Sequence, residues 1–243
     1  MLELVDISFS VFGEQGRKDI LKNINLVIPD EKFVVVTGPN GSGKSTLAKI
    51  IMGIEKPSDG KILLDGEDIT NWDITQRAQA GISFAFQQPV RFKGITVHDL
   101  IRLAAGDGKL SIKGACHYLA EVGLCAADYV GREIDASLSG GELKRIEIAS
   151  LLARQSTKLA VFDEPEAGID LWSFHKLIRV FEKLHEGKRS IFIISHQERI
   201  LNIADEVVLL VDGNISCRGT RDEVLPKILN YTGGCNLFKE DEA

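Results

Sequence analysis

The stretch that most constrains the fold is Gly38-Pro39-Asn40-Gly41-Ser42-Gly43-Lys44-Ser45-Thr46, set between an apolar run at 33–36 and a helical pattern at 47–52. A strand, a glycine-rich turn and a helix in that order predict a phosphate-binding P-loop. Glycines let backbone N–H groups wrap a phosphate, and the helix aims its positive end at the anion. Lys44 then reaches the β- and γ-phosphates while the Ser45 hydroxyl ligates Mg²⁺.

Composition excludes several alternatives. With 243 residues, 44% hydrophobic and 26% charged, the chain reads as an ordinary globular protein with one large core and room for a subdomain. A net charge of −6 without a basic block argues against a dedicated nucleic-acid binder. No run of about 18 apolar residues exists, and Glu3 and Asp6 stand where a signal peptide would be basic, so a cytoplasmic protein that does not insert into membranes is expected. Cys116, Cys125, Cys217 and Cys235 lack metal-ligand spacing and read as reduced thiols.

Along the chain, Leu2, Leu4 and Ile7, then Ile24, Leu26 and Ile28, alternate like facing antiparallel strands, with a loop expected at 12–16. A turn at 57–60 and the dipeptide Asp65-Gly66 add a hairpin, and a further strand is expected at 82–85. Residues 88–137 lack strand signals and carry helical ones, with Thr96 and Ser111 as N-caps, and are expected to form a mostly helical insert. Beyond 138, apolar runs at 159–162, 191–194 and 207–211 fit parallel strands covered on both faces. Asp212-Gly213 predicts a last hairpin, 222–229 a last helix, and 239–242 a solvated acidic tail.

A P-loop needs a carboxylate at the end of a neighbouring strand to hold the metal's shell. Asp163 supplies it, and Glu164, one residue on, is placed to polarise the attacking water. Ser139, Gly140 and Gly141 open a helix and form a further anion seat. One γ-phosphate does not need two seats, so the second suits a phosphate held by another subunit.

Leu138-Ser139-Gly140-Gly141-Glu142-Leu143-Lys144-Arg145, lying between the P-loop and the paired acids, resembles the signature motif of the ATP-binding cassette (ABC) ATPases. The resemblance implies an α/β P-loop core with an antiparallel β subdomain, made of residues 1–87 and 138–243, and an inserted helical subdomain at 88–137. It implies ATP with Mg²⁺, and an ATP-dependent homodimer in which each P-loop faces the other chain's signature, Glu142 included. Gln87 matches the glutamine that senses Mg²⁺ and the attacking water, Asp170 belongs to a loop that contacts the opposite subunit, and His196 matches the switch histidine. Phe12 stands where an aromatic stacks on adenine, although an apolar loop residue is as easily a core anchor.

Within this superfamily the chain is most similar to the ATPase subunit of the SUF iron–sulphur cluster assembly machinery. The residues that carry this likeness are Phe84 to Val90 with Gly94 following, Gly140 to Arg145, and Gly187 to Ser190 running into Ser195 to Leu201, whereas Glu164-Pro165-Glu166-Ala167-Gly168-Ile169-Asp170 is closer to the transporter form. The leading expectation is an ATPase that drives a soluble SUF-type scaffold. Its alternative is the nucleotide-binding subunit that serves a transporter membrane subunit. Pro89, Val90 and Phe92, just after Gln87, are expected either to tuck into the core or to receive that partner.

Overall fold

The computed structural model describes residues 1–13, 16–87 and 90–230. Glu14, Gln15, Pro89, Cys235 and the acidic tail lie outside the described residues. The chain opens with β1 (Leu2–Gly13) and β2 (Gly16–Ile28), paired antiparallel with Leu2 opposite Ile28, Leu4 opposite Leu26 and Ile7 opposite Ile24. All six of these side chains are buried. The expected loop at 12–16 is instead largely ladder, since Phe12 stands opposite Arg17 and Gly13 opposite Gly16. Backbone hydrogen bonds carry the pairing past the last buried apolar side chain, where alternation no longer signals it.

β3 (Phe33–Thr37) follows, buried throughout, then α1 (Lys44–Met52), which stops at Gly53 in the left-handed conformation that favours glycine. β4 (Asp59–Leu64) and β5 (Glu67–Asp68) complete a sheet ordered β2-β1-β4-β5. α2 (Ile74–Gln79) is not among the expected elements; its start is a capping box in which Asp73 and Gln76 satisfy each other's backbone N–H. β6 (Ile82–Ala85) then enters the central sheet.

β7 (Phe92–Thr96), α3 (Val97–Ala105), α4 (Ile112–Glu121), α5 (Ala126–Tyr129) and β8 (Glu133–Ile134) follow. Thr96 and Ser111 cap α3 and α4 as expected, their side chains accepting from Asp99 and Gly114 N–H. The segment is not helical throughout, because β7 and β8 pair with Phe92 opposite Ile134 and Thr96 opposite Glu133. A two-residue strand has no periodicity to read, which is why the ladder escapes the sequence.

The remainder runs α6 (Gly140–Ala153), β9 (Leu159–Asp163), α7 (Leu171–Glu186), β10 (Ser190–Ile194), α8 (Glu198–Asn202), β11 (Glu206–Val211), β12 (Asn214–Gly219) and α9 (Arg221–Asn230). The central sheet is ordered β12-β11-β3-β10-β9-β6, parallel except for the β11–β12 hairpin. Its parallel strands are covered on both faces, whereas the edge strand β12 is partly exposed. Val34, Val36, Phe192 and Ile194 pack with α1 and the antiparallel sheet, while Val35, Phe162, Ile191 and Ile193 pack with α6 and α7. This two-sided burial makes those strands read as continuous apolar runs.

Arg77 of α2 joins the antiparallel layer to α1. Its guanidinium, 1% exposed, donates to the carbonyls of Ile50 (2.7 Å), Ile51 (2.8 Å), Ile69 (3.0 Å), Thr70 (3.2 Å) and Trp72 (3.2 Å). Ile50 and Ile51 lie in the last turn of α1, where the Gly53 N–H also reaches Ile50 O at 3.1 Å. Burial pushes the Arg77 pKa down to about 10, which leaves it charged at neutral pH. Arg77→Ala should therefore cost about 3–5 kcal/mol, because five hydrogen bonds from one buried group are lost at once. Arg77→Lys should recover only part of this, lacking the planar fork. Urea denaturation measures both, and a loss below about 1 kcal/mol would remove Arg77 from this role.

Candidate nucleotide site

The P-loop runs from the end of β3 to the start of α1, and its shape requires glycine at defined points. At Gly38 (φ 148°) an added Cβ would lie 1.9 Å from the Leu210 carbonyl oxygen, and at Gly43 (φ 101°) 2.7 Å from the Leu21 side chain. Gly43 is also the N-cap of α1 and brings no side chain to the first turn, so the N–H groups there stay open to an anion. Ser42 N–H closes the turn onto Pro39 O at 3.2 Å. Lys44 is buried and donates to the carbonyls of Gly38 and Pro39, each at 2.8 Å. Burial lowers its pKa, and the nearby Glu164 and Asp163 charges oppose that.

Ser45 donates to Asp163 Oδ1 at 3.1 Å, joining α1 to the end of β9. Burial pushes the Asp163 carboxyl up, the Ser45 bond pulls it down, and Glu164 pushes it up again. Glu164 follows in a left-handed conformation, φ 46°, costing about 1–3 kcal/mol for a residue with a side chain. Its N–H is held by Ile194 O at 3.0 Å, and its carboxylate accepts from Gln87 Nε2 at 2.8 Å. Lys18, Ile20, Asn40, Gly41, Gly43, Lys44, Ser45, Thr46, Gln87 and Glu164 line a cleft of about 520 Å³. One cleft thus brings together the P-loop, Gln87 and Glu164, with Asp163 bonded to its Ser45.

The second group of expected residues lies apart from this cleft. Ser139 caps α6, its hydroxyl accepting from Glu142 N–H at 3.3 Å while Glu142 accepts from Ser139 N–H at 2.7 Å and from the Tyr129 hydroxyl. The Tyr129 bond first, and those to Ser139 after it, hold the Glu142 carboxyl below its usual range. Gly140 is open, but a Cβ on Gly141 would stand 2.6 Å from Gly168 O, so the signature turn lies directly against the loop that leads to Asp170. Asp170 caps α7, accepting from the Trp172 and Ser173 N–H groups at 3.0 Å each. None of these side chains lines the P-loop cleft of its own chain.

His196 is exposed in the loop after β10. The preceding Ser195 is buried and donates to Glu166 at 2.5 Å. Phe12 is 82% exposed, so it is not a core anchor; Lys18 and Ile20 of the facing strand line the cleft in its place. Two residues of the site carry no signal in the sequence. Lys144 of α6 is buried and donates to the carbonyls of Glu164 (2.6 Å), Gln87 (3.1 Å) and Asp163 (3.5 Å). Glu166 anchors Ser195. Lys144 lies inside the signature stretch, but a lysine on a polar helix start gives no sign that it points inward.

A separate apolar groove of about 220 Å³ runs between α6, β6 and the insert, lined among others by Phe84, Phe86, Val90, Phe92, Leu100 and Leu143. Val90 and Phe92, 48% and 39% exposed, do not belong to the core.

A family model described as "ABC transporter" matches residues 21–167. An uncharacterized ABC transporter ATP-binding protein of Methanocaldococcus jannaschii is 39% identical over 217 residues, which cover 86% of this chain and 86% of that protein. The sulphate/thiosulphate import ATP-binding protein CysA of a Synechocystis species is 34% identical over 237 residues, covering 94% of this chain but only 66% of the relative's length. Among solved structures, a dimeric bacterial ABC transporter cassette superimposes with a TM-score of 0.81 at 24% identity, covering 91% of this chain and 99% of that one. Its post-hydrolysis dimer, bound to ADP and phosphate, gives 0.80 over the same shares. The structural likeness shows the fold, an α/β cassette with an antiparallel sheet and an inserted subdomain.

Lys44→Ala should lower ATP affinity at least about 100-fold. An ammonium some ~4 Å from a phosphate charge is worth on the order of 4 kcal/mol at an effective dielectric near 20, before water compensates. Titration calorimetry with ATP checks this, and unchanged affinity would refute the cleft as the phosphate seat.

Proposed function

The chain belongs to the ABC transporter family of ATP-hydrolysing cassettes, and from that premise we propose that two copies close head to tail over two ATP molecules, each P-loop facing the other copy's signature turn. The observation that carries this is a separation within the chain: Ser139, Gly140, Gly141 and Glu142 form an open helix start that contributes nothing to the cleft of their own chain. The solved cassette that this chain resembles in fold is dimeric, which supports an assembly of two copies. Asp170, packed beside the signature through Gly168 and Gly141, would meet the opposite copy, and exposed Phe12 would stack on adenine.

Ser45 and Asp163 offer hard oxygen donors that fit Mg²⁺, and with no cluster of three or more His, Cys, Asp or Glu among the described residues, the phosphates would complete its shell. When bound, the ion neutralises charge on the β- and γ-phosphates. The P-loop N–H groups and Lys44 hold the triphosphate. Glu164 takes up the proton of the water that attacks the γ-phosphorus as the bond to the ADP oxygen breaks, and Gln87 fixes the carboxylate that does so. His196, exposed after β10, would meet the γ-phosphate as the sandwich closes.

The energy of hydrolysis goes to a partner seated in the apolar groove beside Gln87. The named relatives make a transporter's membrane subunit the leading reading of that partner. Among the described residues no helix is long and apolar enough to cross a membrane. A scaffold for iron–sulphur cluster assembly is the second reading, supported by the likeness of Gly140 to Arg145 and of Ser195 to Leu201. Affinity purification from the native source separates them by what accompanies the chain, an integral membrane protein or a soluble one.

Glu164→Gln should keep ATP affinity while lowering the hydrolysis rate by about 10²–10⁴, the usual weight of a positioned general base. Steady-state phosphate release and size-exclusion chromatography with Mg-ATP read the rate and the trapped dimer; normal hydrolysis would remove Glu164 from the reaction. Phe92→Asp should leave the chain folded and able to bind ATP, since Phe92 is outside the core, yet reduce partner co-purification at least about 10-fold by placing a charge in an apolar contact. Undiminished co-purification would place the docking site elsewhere.

A further inference from the structure

The groove beside Gln87 is apolar with one exception left open. Of its polar side chains, Ser83 bonds Thr157 at 2.8 Å, Ser150 donates to Ile146 O at 3.0 Å, and Arg154 donates to Ala78 O at 2.6 Å and Ser156 at 3.3 Å. The fourth is Glu147, on α6. Its Oε1 accepts from Phe86 N–H at 3.1 Å, while Oε2 is withdrawn from solvent and has no hydrogen-bond partner among the described residues. Its neighbour Lys144 does not neutralise it by contact, because that ammonium is engaged by the carbonyls of Gln87, Asp163 and Glu164. Burial pushes the Glu147 carboxyl up to about 7, with the Phe86 N–H and Lys144 opposing.

A partner that covered this groove with hydrocarbon alone would seal an uncompensated carboxyl into a drier site. A cation on the docked face removes that cost and adds a charge-assisted bond. We propose that the partner element seated in the groove carries a lysine or arginine on an otherwise apolar face, and that this cation pairs with the Glu147 carboxylate. This rests on the reading of the groove as the docking site. A turn about the soft terminal torsion of Glu147 that presents Oε2 to the incoming cation also moves Oε1 off the Phe86 N–H. The pair is also placed to be felt in the cleft: Glu147 holds the N–H of Phe86, and the next residue, Gln87, holds Glu164.

The test uses the full chain in its native host, with a photo-crosslinking amino acid at Val90 and the attached peptide sequenced. The expected adduct is to a segment with Lys or Arg within one helical turn of the attachment point. Glu147→Gln, which keeps an acceptor for Phe86, should lower the adduct yield about 30-fold or more, as for loss of a buried interfacial charge pair. Glu147→Lys combined with an acidic replacement of the partner's cation should restore it. An adduct to a segment without a cation, a yield unchanged by Glu147→Gln, or failure of the charge swap to rescue would each overturn the proposal. Because the adduct's sequence is read in a chain with Glu147 intact, the first of these outcomes decides the matter even if a Glu147 variant folds poorly. A chain that co-isolates with a partner but gives no adduct at Val90 refutes the groove as docking site and this inference with it. A chain that co-isolates with no partner refutes the proposed function itself.

Discussion

One buried ammonium sets the geometry on which the cleft depends. Lys144, 1% exposed, brings its three donors to three backbone carbonyls, those of Gln87, Asp163 and Glu164. Desolvation lowers its pKa, and the charges of Glu147, Glu166, Asp163 and Glu164 oppose that. Gln87 ends the path out of β6, whereas Asp163 and Glu164 end β9. Tying both chain segments to one nitrogen leaves the Gln87 amide and the Glu164 carboxylate facing each other at 2.8 Å. The left-handed backbone of Glu164 is sustained by the same pin together with the Ile194 carbonyl that holds its N–H.

The sheet makes that pin possible. β3, β6, β9 and β10 are parallel, so their C-terminal ends share one edge, and each delivers a different part of the site: the P-loop, Gln87, Asp163 with Glu164, and Ser195 with His196. Register does the aligning. Ile194 pairs with both Val36 and Asp163, so the strand that leads to His196 is level with the start of the P-loop on one side and the metal carboxylate on the other. The P-loop, Gln87, Asp163 and Glu164, far apart in sequence, come to one cleft because of this pairing.

Legibility follows from the same physics. The P-loop, the paired acids and the signature were readable because their chemistry demands particular residues in particular order, and the buried strands because two-sided burial leaves uninterrupted apolar runs. The β7–β8 ladder and the strand ends at Phe12 and Gly13 were not, since backbone bonds make them and side chains there carry no pattern. Lys144 and Arg77 were invisible for a different reason. A lysine or arginine reads as solvated unless the carbonyls it will satisfy are already in view, and those carbonyls come from distant elements. The iron–sulphur reading was drawn from three short stretches, at Phe84 to Val90, in the signature and around His196. Similarity over most of the chain runs instead to transporter ATP-binding proteins.

The pin also bears on how two sites in a closed sandwich would communicate. Ser139, Gly140, Gly141 and Glu142 begin α6, and Lys144 follows within the next turn of that helix. In the proposed dimer, a γ-phosphate held by the other copy pulls on the N-terminus of α6 through Ser139 and the glycine N–H groups. The same helix holds this copy's Glu164 and Gln87 through Lys144, and α6 packs against α3 of the insert. Backbone bonds and the Ser139–Glu142 capping box fasten the first turn of this helix to the rest of it. In that dimer, occupation of one cleft and the position of Glu164 in the other would be coupled through a single element, α6. A partner lying in the groove along that helix, against Glu147 one turn beyond Lys144, would share the same lever.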